Sequence, residues 1–187
     1  MTNNPYLDGQ LLLAMPGMAD QRFDRSVIFL CNHDATGAMG IVINQPLASM
    51  KLSDMFDQLD IPPQDQVHDD IVYCGGPVEP GRGFVLHTAD YSQESTMIVS
   101  QKLAVTATTD VLHAIAKGEG PENYLIALGY AGWGKGQLDK EIQENSWMIS
   151  PADTGLIFQT EAEQAWPRAM AMLGIDISML STSSGHA

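Results

Sequence analysis

Positive charge is what this sequence has least of. Nine Lys plus Arg face 23 Asp plus Glu, a formal net charge of −14 with a pI near 4.4. Binding nucleic acid by phosphate neutralisation needs the opposite balance, so composition opposes direct DNA or RNA binding. Cysteine is nearly absent too: Cys31 and Cys74 are the pair, and no C-x-x-C joins them. That excludes a disulfide framework and predicts reduced, buried thiols. Long hydrophobic runs are missing. The runs at 11–15, 27–31 and 39–43 fall far short of the roughly 18 residues that a bilayer span needs. The first residues, Met1-Thr2-Asn3-Asn4-Pro5, carry neither a basic stretch nor an apolar one, so a cytoplasmic protein without a membrane partner is expected. What is present is enough for a core: 44% hydrophobic residues in a chain of 187. One domain over 1–180 with a flexible tail at 181–187 follows from the length and from the small polar residues at the end.

Hydrophobic pattern and turn chemistry predict many short strands with scattered helices. Strands are expected at 11–15, 27–31, 39–43, 71–74, 83–87, 96–99, 103–106, 124–128 and 147–149. The second and third should form a hairpin with a longer loop over 32–37. Ser53 is a plausible N-cap for a short helix carrying Met55, Phe56 and Leu59. Thr108 or Thr109 should start another, ended by Gly118. A helix over 137–145 places Leu138 and Ile142 on one face. Thr160 and Glu163 have capping-box spacing before a last helix, in which Pro167 predicts a kink or a late start. The elements do not alternate as βαβ units, so the class is α+β.

The arginines are the strongest candidates for chemistry. There are four, Arg22, Arg25, Arg82 and Arg168, and three lie in turn-rich segments at 20–26 and 75–83. A guanidinium fork beside glycine-rich backbone can clamp an anion, and Gly75-Gly76 can supply N–H groups as a backbone nest does. The expected ligand-binding set is therefore Arg25, Ser26, Gly75, Gly76 and Arg82. Ion pairing with Asp20, Asp24 and Glu79 is the plain alternative.

Other patterns point less far. The stretch 129–136 has G-x-x-x-x-G-K spacing between a predicted strand and helix, but Gly136 stands where Ser or Thr would hold magnesium. The plain reading is a tight turn with Trp133 packed on the core. Cys31, His33, Cys74 and His87 match no standard zinc spacing, so no metal is expected. His113 should be a partly buried core histidine. Six aspartates between Asp54 and Asp70, with no Lys or Arg between Asp54 and Asp70, read as a solvated edge. No G-x-S-x-G elbow supports a Ser26 triad, and no cofactor motif is evident.

Several stretches together are familiar: 12–18, Arg25 through Cys31, Gly37 through Asn44, Gly75-Gly76-Pro77-Val78, Arg82 through His87, and 129–134. The segment from Gly136-Gln137-Leu138 through Glu141 to Asn145 and Trp147 completes the set. Their combination, spanning about residues 7–177, resembles the YqgE/AlgH family. The resemblance implies one α+β domain with a mixed, partly barrel-like β-sheet flanked by helices, in a bacterial cytoplasmic protein. It supplies no agreed catalytic set, and the family's transcriptional-regulator label finds no helix-turn-helix with a basic recognition helix here. The functional expectation is a non-enzymatic regulator or binding protein that accepts a small anion or an acidic segment of a protein partner. The alternative is an enzyme acting on a small phosphorylated or carboxylated metabolite, with Ser26, His87 or Cys74 beside the arginines. A DNA-binding regulator is the third reading.

Overall fold

A computed structural model of the chain describes residues 4–62 and 70–180. Among them, ten strands share one sheet: β1 (Gln10–Ala14), β2 (Val27–Asp34), β3 (Gly37–Val42), β4 (Pro46–Lys51), β5 (Ile71–Cys74), β6 (Val78–Thr88), β7 (Thr96–Ile98), β8 (Leu103–Thr106), β9 (Tyr124–Trp133) and β10 (Trp147–Pro151). The spatial order is β10-β1-β2-β3-β9-β6-β8-β7, and β5 pairs with β4 and β9. All pairings are antiparallel except β5 with β9. The sheet curls into a half-barrel, so the fold is mixed α+β as expected. Five helices flank it: α1 (Leu52–Gln58), α2 (Asp110–Ala116), α3 (Gln137–Gln143), α4 (Thr154–Gln159) and α5 (Ala162–Met172).

The continuous apolar runs are strands covered on both faces. Side chains alternate across a strand, so Leu11, Leu13, Val27 and Phe29 enter the main core on one face. Leu12, Ile28, Leu30 and Val42 enter a second core on the other face, with Trp133, Leu138 and Trp147. The main core is closed by α4 and α5 through Leu156, Ile157, Trp166 and Met170. A third core, at the far end, packs α1 and α2 against Val72, Val85 and Ile126.

Several elements depart from the sequence expectations. Strand β2 runs on to Asp34 past an irregularity between Leu30 and Asn32, and a two-residue turn at Ala35 and Thr36 replaces the longer loop. Strand β4 was not expected, nor was α4. The glycine-rich stretch after Leu128 continues β9 as far as Trp133 instead of looping around a phosphate, and Trp133 does pack on a core. The reason is backbone proximity. A Cβ on Gly75 would collide with the Gly129 carbonyl oxygen, and one on Gly76 with the Tyr130 backbone. The glycines let the end of β5 pass against β9. Helix α5 starts at Ala162 after Glu161, without a side-chain cap, and runs through Pro167. Helix α1 follows Lys51, not Ser53. His113 is exposed. The expected tail at 181–187 lies outside the described residues. No helix among the described residues is long and apolar enough to cross a membrane.

Candidate functional site

The segment between β1 and β2 carries two arginines and sends one to each face of the sheet. A 3-10 turn at Gln21–Phe23 is capped by Asp20, whose carboxylate accepts the Arg22 N–H. Arg25 follows with φ of 53°, a left-handed backbone that a non-glycine residue adopts at a cost. Two side chains after β3 hold it there. Asn44 accepts the Val27 N–H and donates to the Arg25 carbonyl, both at 2.9 Å. Gln45 Nε2 donates to the Arg22 carbonyl at 2.9 Å and to Ser26 Oγ at 2.8 Å.

This scaffold sets the Arg25 guanidinium 5.3 Å from the ring centroid of Trp166. The indole is fixed in turn: it is buried in the main core, and its Nε1–H donates to the Ala14 carbonyl at 2.8 Å. A hollow of about 260 Å³ opens here, lined by Arg25, Asn44, Gln45 and Trp166, with Asp24 and Glu163 also on its wall. Arg25 is exposed, and no described carboxylate forms an ion pair with it.

The other expected site residues are placed as follows. Ser26 is fully buried beneath Arg25. Gly75 reaches the same region through backbone bonds: its carbonyl accepts the Val42 N–H, and the preceding Cys74 N–H donates to the Gln45 carbonyl. The Gly75 N–H is spent on the Leu128 carbonyl at 2.8 Å, so it is not turned toward a ligand. Gly76 lies against Tyr130. Arg82 stands in another setting, 5.2 Å from the Phe84 ring centroid and 3.5 Å from Glu79. The two guanidiniums share no hydrogen-bond partner, ion pair or hollow among the described residues.

Arg22 goes to the opposite face. There β9 ends at Trp133, α3 follows, and β10 begins at Trp147. Glu141 of α3 joins all three: its Oε2 accepts the indole N–H of Trp133 at 2.6 Å and of Trp147 at 3.1 Å. The two indoles meet edge to face at 5.9 Å, and Phe23 packs edge to face on Trp147 at 5.8 Å. A hollow of about 450 Å³ lies beside them. Four of the separate stretches that carry the family resemblance converge on it, through Met18, Val78, Gly132 and Glu141. Sequence reasoning took Trp133 as packing and named Glu141 and Trp147 within the resemblance without giving them a site role. Their spacing along the chain carries no sign that two indole donors meet one carboxylate.

Of the candidate nucleophiles and bases, Ser26 accepts from Gln45, Cys74 is half-buried with its Sγ 3.9 Å from the Gly76 carbonyl, and His87 is held at both ring nitrogens. The His87 ring is fully buried, with Nδ1 at 2.8 Å from the Thr88 carbonyl and Nε2 at 2.8 Å from Thr106 Oγ1. The carbonyl can only accept, so Nδ1 carries the proton and Nε2 accepts from the threonine. Burial pushes its pKa below the ordinary histidine value. Burial raises the Cys31 thiol to about 12, so it stays protonated and unreactive. His33 Nδ1 accepts the Leu7 N–H at 3.1 Å, and its Nε2 faces Asp139 at 3.7 Å. No group of three His, Cys, Asp or Glu among the described residues could hold a metal ion.

The sequence pattern of the family described as AlgH-like matches residues 11–178. A UPF0301 protein of Rhodospirillum rubrum is 53% identical over 182 residues, covering 97% of this chain and 95% of the relative. A UPF0301 protein of Methylobacterium nodulans is 52% identical, covering 97% of this chain and 90% of its own. The solution structure of the AlgH protein from Pseudomonas aeruginosa superposes with a TM-score of 0.80 at 43% identity, over 100% of this chain and 99% of that one. A crystal structure from Corynebacterium diphtheriae has a TM-score of 0.75 at 20% identity, over 98% of this chain and 95% of that one, and shows a likeness of fold alone.

Proposed function

The chain belongs to the AlgH-like family, and on that premise we propose that it is a binding protein, without a reaction of its own, in which Arg25 accepts an anionic group. The observation that carries this is one exposed guanidinium, free of any described carboxylate, stacked on a buried indole in a chain of net charge −14. Stacking on Trp166 orients the fork and removes water from one face, which prepares it for bidentate contact with a carboxylate or phosphate. The left-handed backbone at Arg25 supports the same reading, because strain held by two side-chain clamps marks a residue kept for presentation. Ser26, Gly75 and Gly76 serve as the scaffold under it, and Arg82 is not required.

Asp24 and Glu163 on the same wall weaken the local potential, so a free anion should bind with a dissociation constant on the order of a millimolar. The test is titration with inorganic phosphate at constant ionic strength, followed by the ¹H–¹⁵N indole signal of Trp166. A saturable shift, lost in Arg25→Gln and weakened in Arg25→Lys, supports the reading. No shift, or an unchanged shift in Arg25→Gln, refutes it. Turnover of a phosphorylated compound that depends on Arg25 would replace it with the enzyme reading.

A further inference from the structure

We infer that the hollow walled by Phe23, Trp133 and Trp147 is a second binding site, of opposite sign, which takes an organic cation: an alkylammonium or guanidinium group. It does not rest on the Arg25 reading. The two hollows lie on opposite faces of the sheet, since Trp166 belongs to the main core and Trp133 and Trp147 to the core on the other face.

The lining has the chemistry of cation recognition. Asp20, Glu141 and Glu144 contribute three carboxylates and Arg22 one guanidinium, a formal balance of 1 − 3 = −2. The overall charge of −14 adds a favourable long-range field for a cation. Three of the lining side chains are aromatic, Phe23 and the two largely buried indoles of Trp133 and Trp147, and aromatic rings attract an organic cation through their electron-rich faces. They are also prearranged: each ring is locked edge to face against the next, and both indole N–H groups are tied to Glu141. A ligand therefore meets walls that have little freedom left to lose.

Glu141 retains accepting capacity. Both indoles use Oε2, while Oε1 has a single long contact, 3.4 Å from Gln137 Nε2. A carboxylate oxygen accommodates about two donors, so Oε1 can take an N–H from an ammonium or guanidinium.

The hollow already holds a cation of the right kind at its rim. The Arg22 guanidinium lies 5.8 Å from the Phe23 ring centroid and pairs with Asp20 at 2.7 Å. Ring and carboxylate thus flank a planar cation within the protein itself. That side chain is 66% exposed, so it can swing aside or share the space. A metal ion is the poorer match, because the rings offer no ligand atoms and no three metal-binding side chains cluster among the described residues.

The protein has three indole N–H groups, from Trp133, Trp147 and Trp166, and this supplies the test. Uniformly ¹⁵N-labelled protein is titrated with spermidine, a free amine, and separately with the peptide acetyl-Gly-Lys-Gly-amide, a chain-borne ammonium. Sodium chloride keeps the ionic strength constant. The Trp133 and Trp147 signals should shift saturably in at least one arm while Trp166 stays in place. The arm that saturates at lower concentration identifies the source of the cation. Asp20→Asn and Glu144→Gln each keep a neutral side chain of the same shape, and each should weaken binding about two- to five-fold, the range of a partly exposed charge contact. Glu141→Gln should weaken it further, with the position of the Trp166 signal reporting that the fold is kept. The inference is overturned if neither arm shifts Trp133 and Trp147, if all three indoles move together, or if Asp20→Asn and Glu144→Gln both bind as the parent does.

Discussion

At Trp166 the indole N–H is spent on a backbone carbonyl, and the ring carries a guanidinium that no described carboxylate neutralises. At Trp133 and Trp147 the indole N–H groups are spent on a carboxylate, which is thereby built into the wall. The two hollows use the same residue type on opposite faces of one sheet, yet their charged groups have different duties. Arg25 can be removed without stranding a buried donor or acceptor. Glu141 cannot, because two indole donors depend on it. A charge free of structural duty is available to a ligand at little cost to the fold, whereas Glu141 serves both.

The largest effect should come from the close passage of Gly76 against β9. Gly76→Ala drives a side chain into the Tyr130 backbone and should cost at least about 3 kcal/mol, or prevent folding. A stable Gly76→Ala protein that had lost only phosphate binding would return this glycine to the anion site. Next comes Glu141→Ala. Leaving two partly buried indole donors unpaired should cost about 2–4 kcal/mol in urea unfolding, against less than about 1 kcal/mol for Arg25→Ala. Equal costs would erase the contrast between the two hollows.

His87 belongs to neither hollow and gives a control by pH. Its ring is neutral in the fold, and burial holds its pKa below the ordinary 6.5, although Asp90 nearby pulls the other way. The unfolded chain therefore takes up a proton first as pH falls. Stability should be full above about pH 6.5 and decline below it, by at most about 1.4 kcal/mol per pH unit from this group. His87→Gln should flatten that part of the profile in thermal or urea unfolding. The smallest effect is expected for Arg25→Gly. Relief of the left-handed backbone offsets the lost stacking and the added freedom of the unfolded chain, so stability should stay within about 1 kcal/mol of the parent. Phosphate binding should be lost nonetheless.

The strands were legible where apolar residues ran continuously, as at Val27 to Cys31, because both faces of β2 are covered. Strand β4 was not, since most of its residues face solvent and leave no apolar signal. The stretch after Leu128 resembles a loop in sequence and is strand as far as Trp133 in the fold, and Gly129 is required there because the Gly76 carbonyl, far away along the chain, passes against it. The proposed Arg25 site was half legible. Scarcity of arginine in an acidic chain singles out the residue, but nothing local announces Trp166, which comes from the last long helix. Arg82 looked equivalent in sequence and differs through its neighbours Glu79 and Phe84. The Glu141 cluster was illegible as a site, since one helical Glu and two tryptophans at strand ends are ordinary residues until the fold brings them together.

The most direct measurement is a pair of indole titrations on the labelled parent protein, one with inorganic phosphate and one with spermidine, at matched ionic strength. If each hollow answers to its own sign of charge, phosphate moves Trp166 alone and the amine moves Trp133 and Trp147 alone. Signals that respond to both ions alike, or to neither, would contradict it.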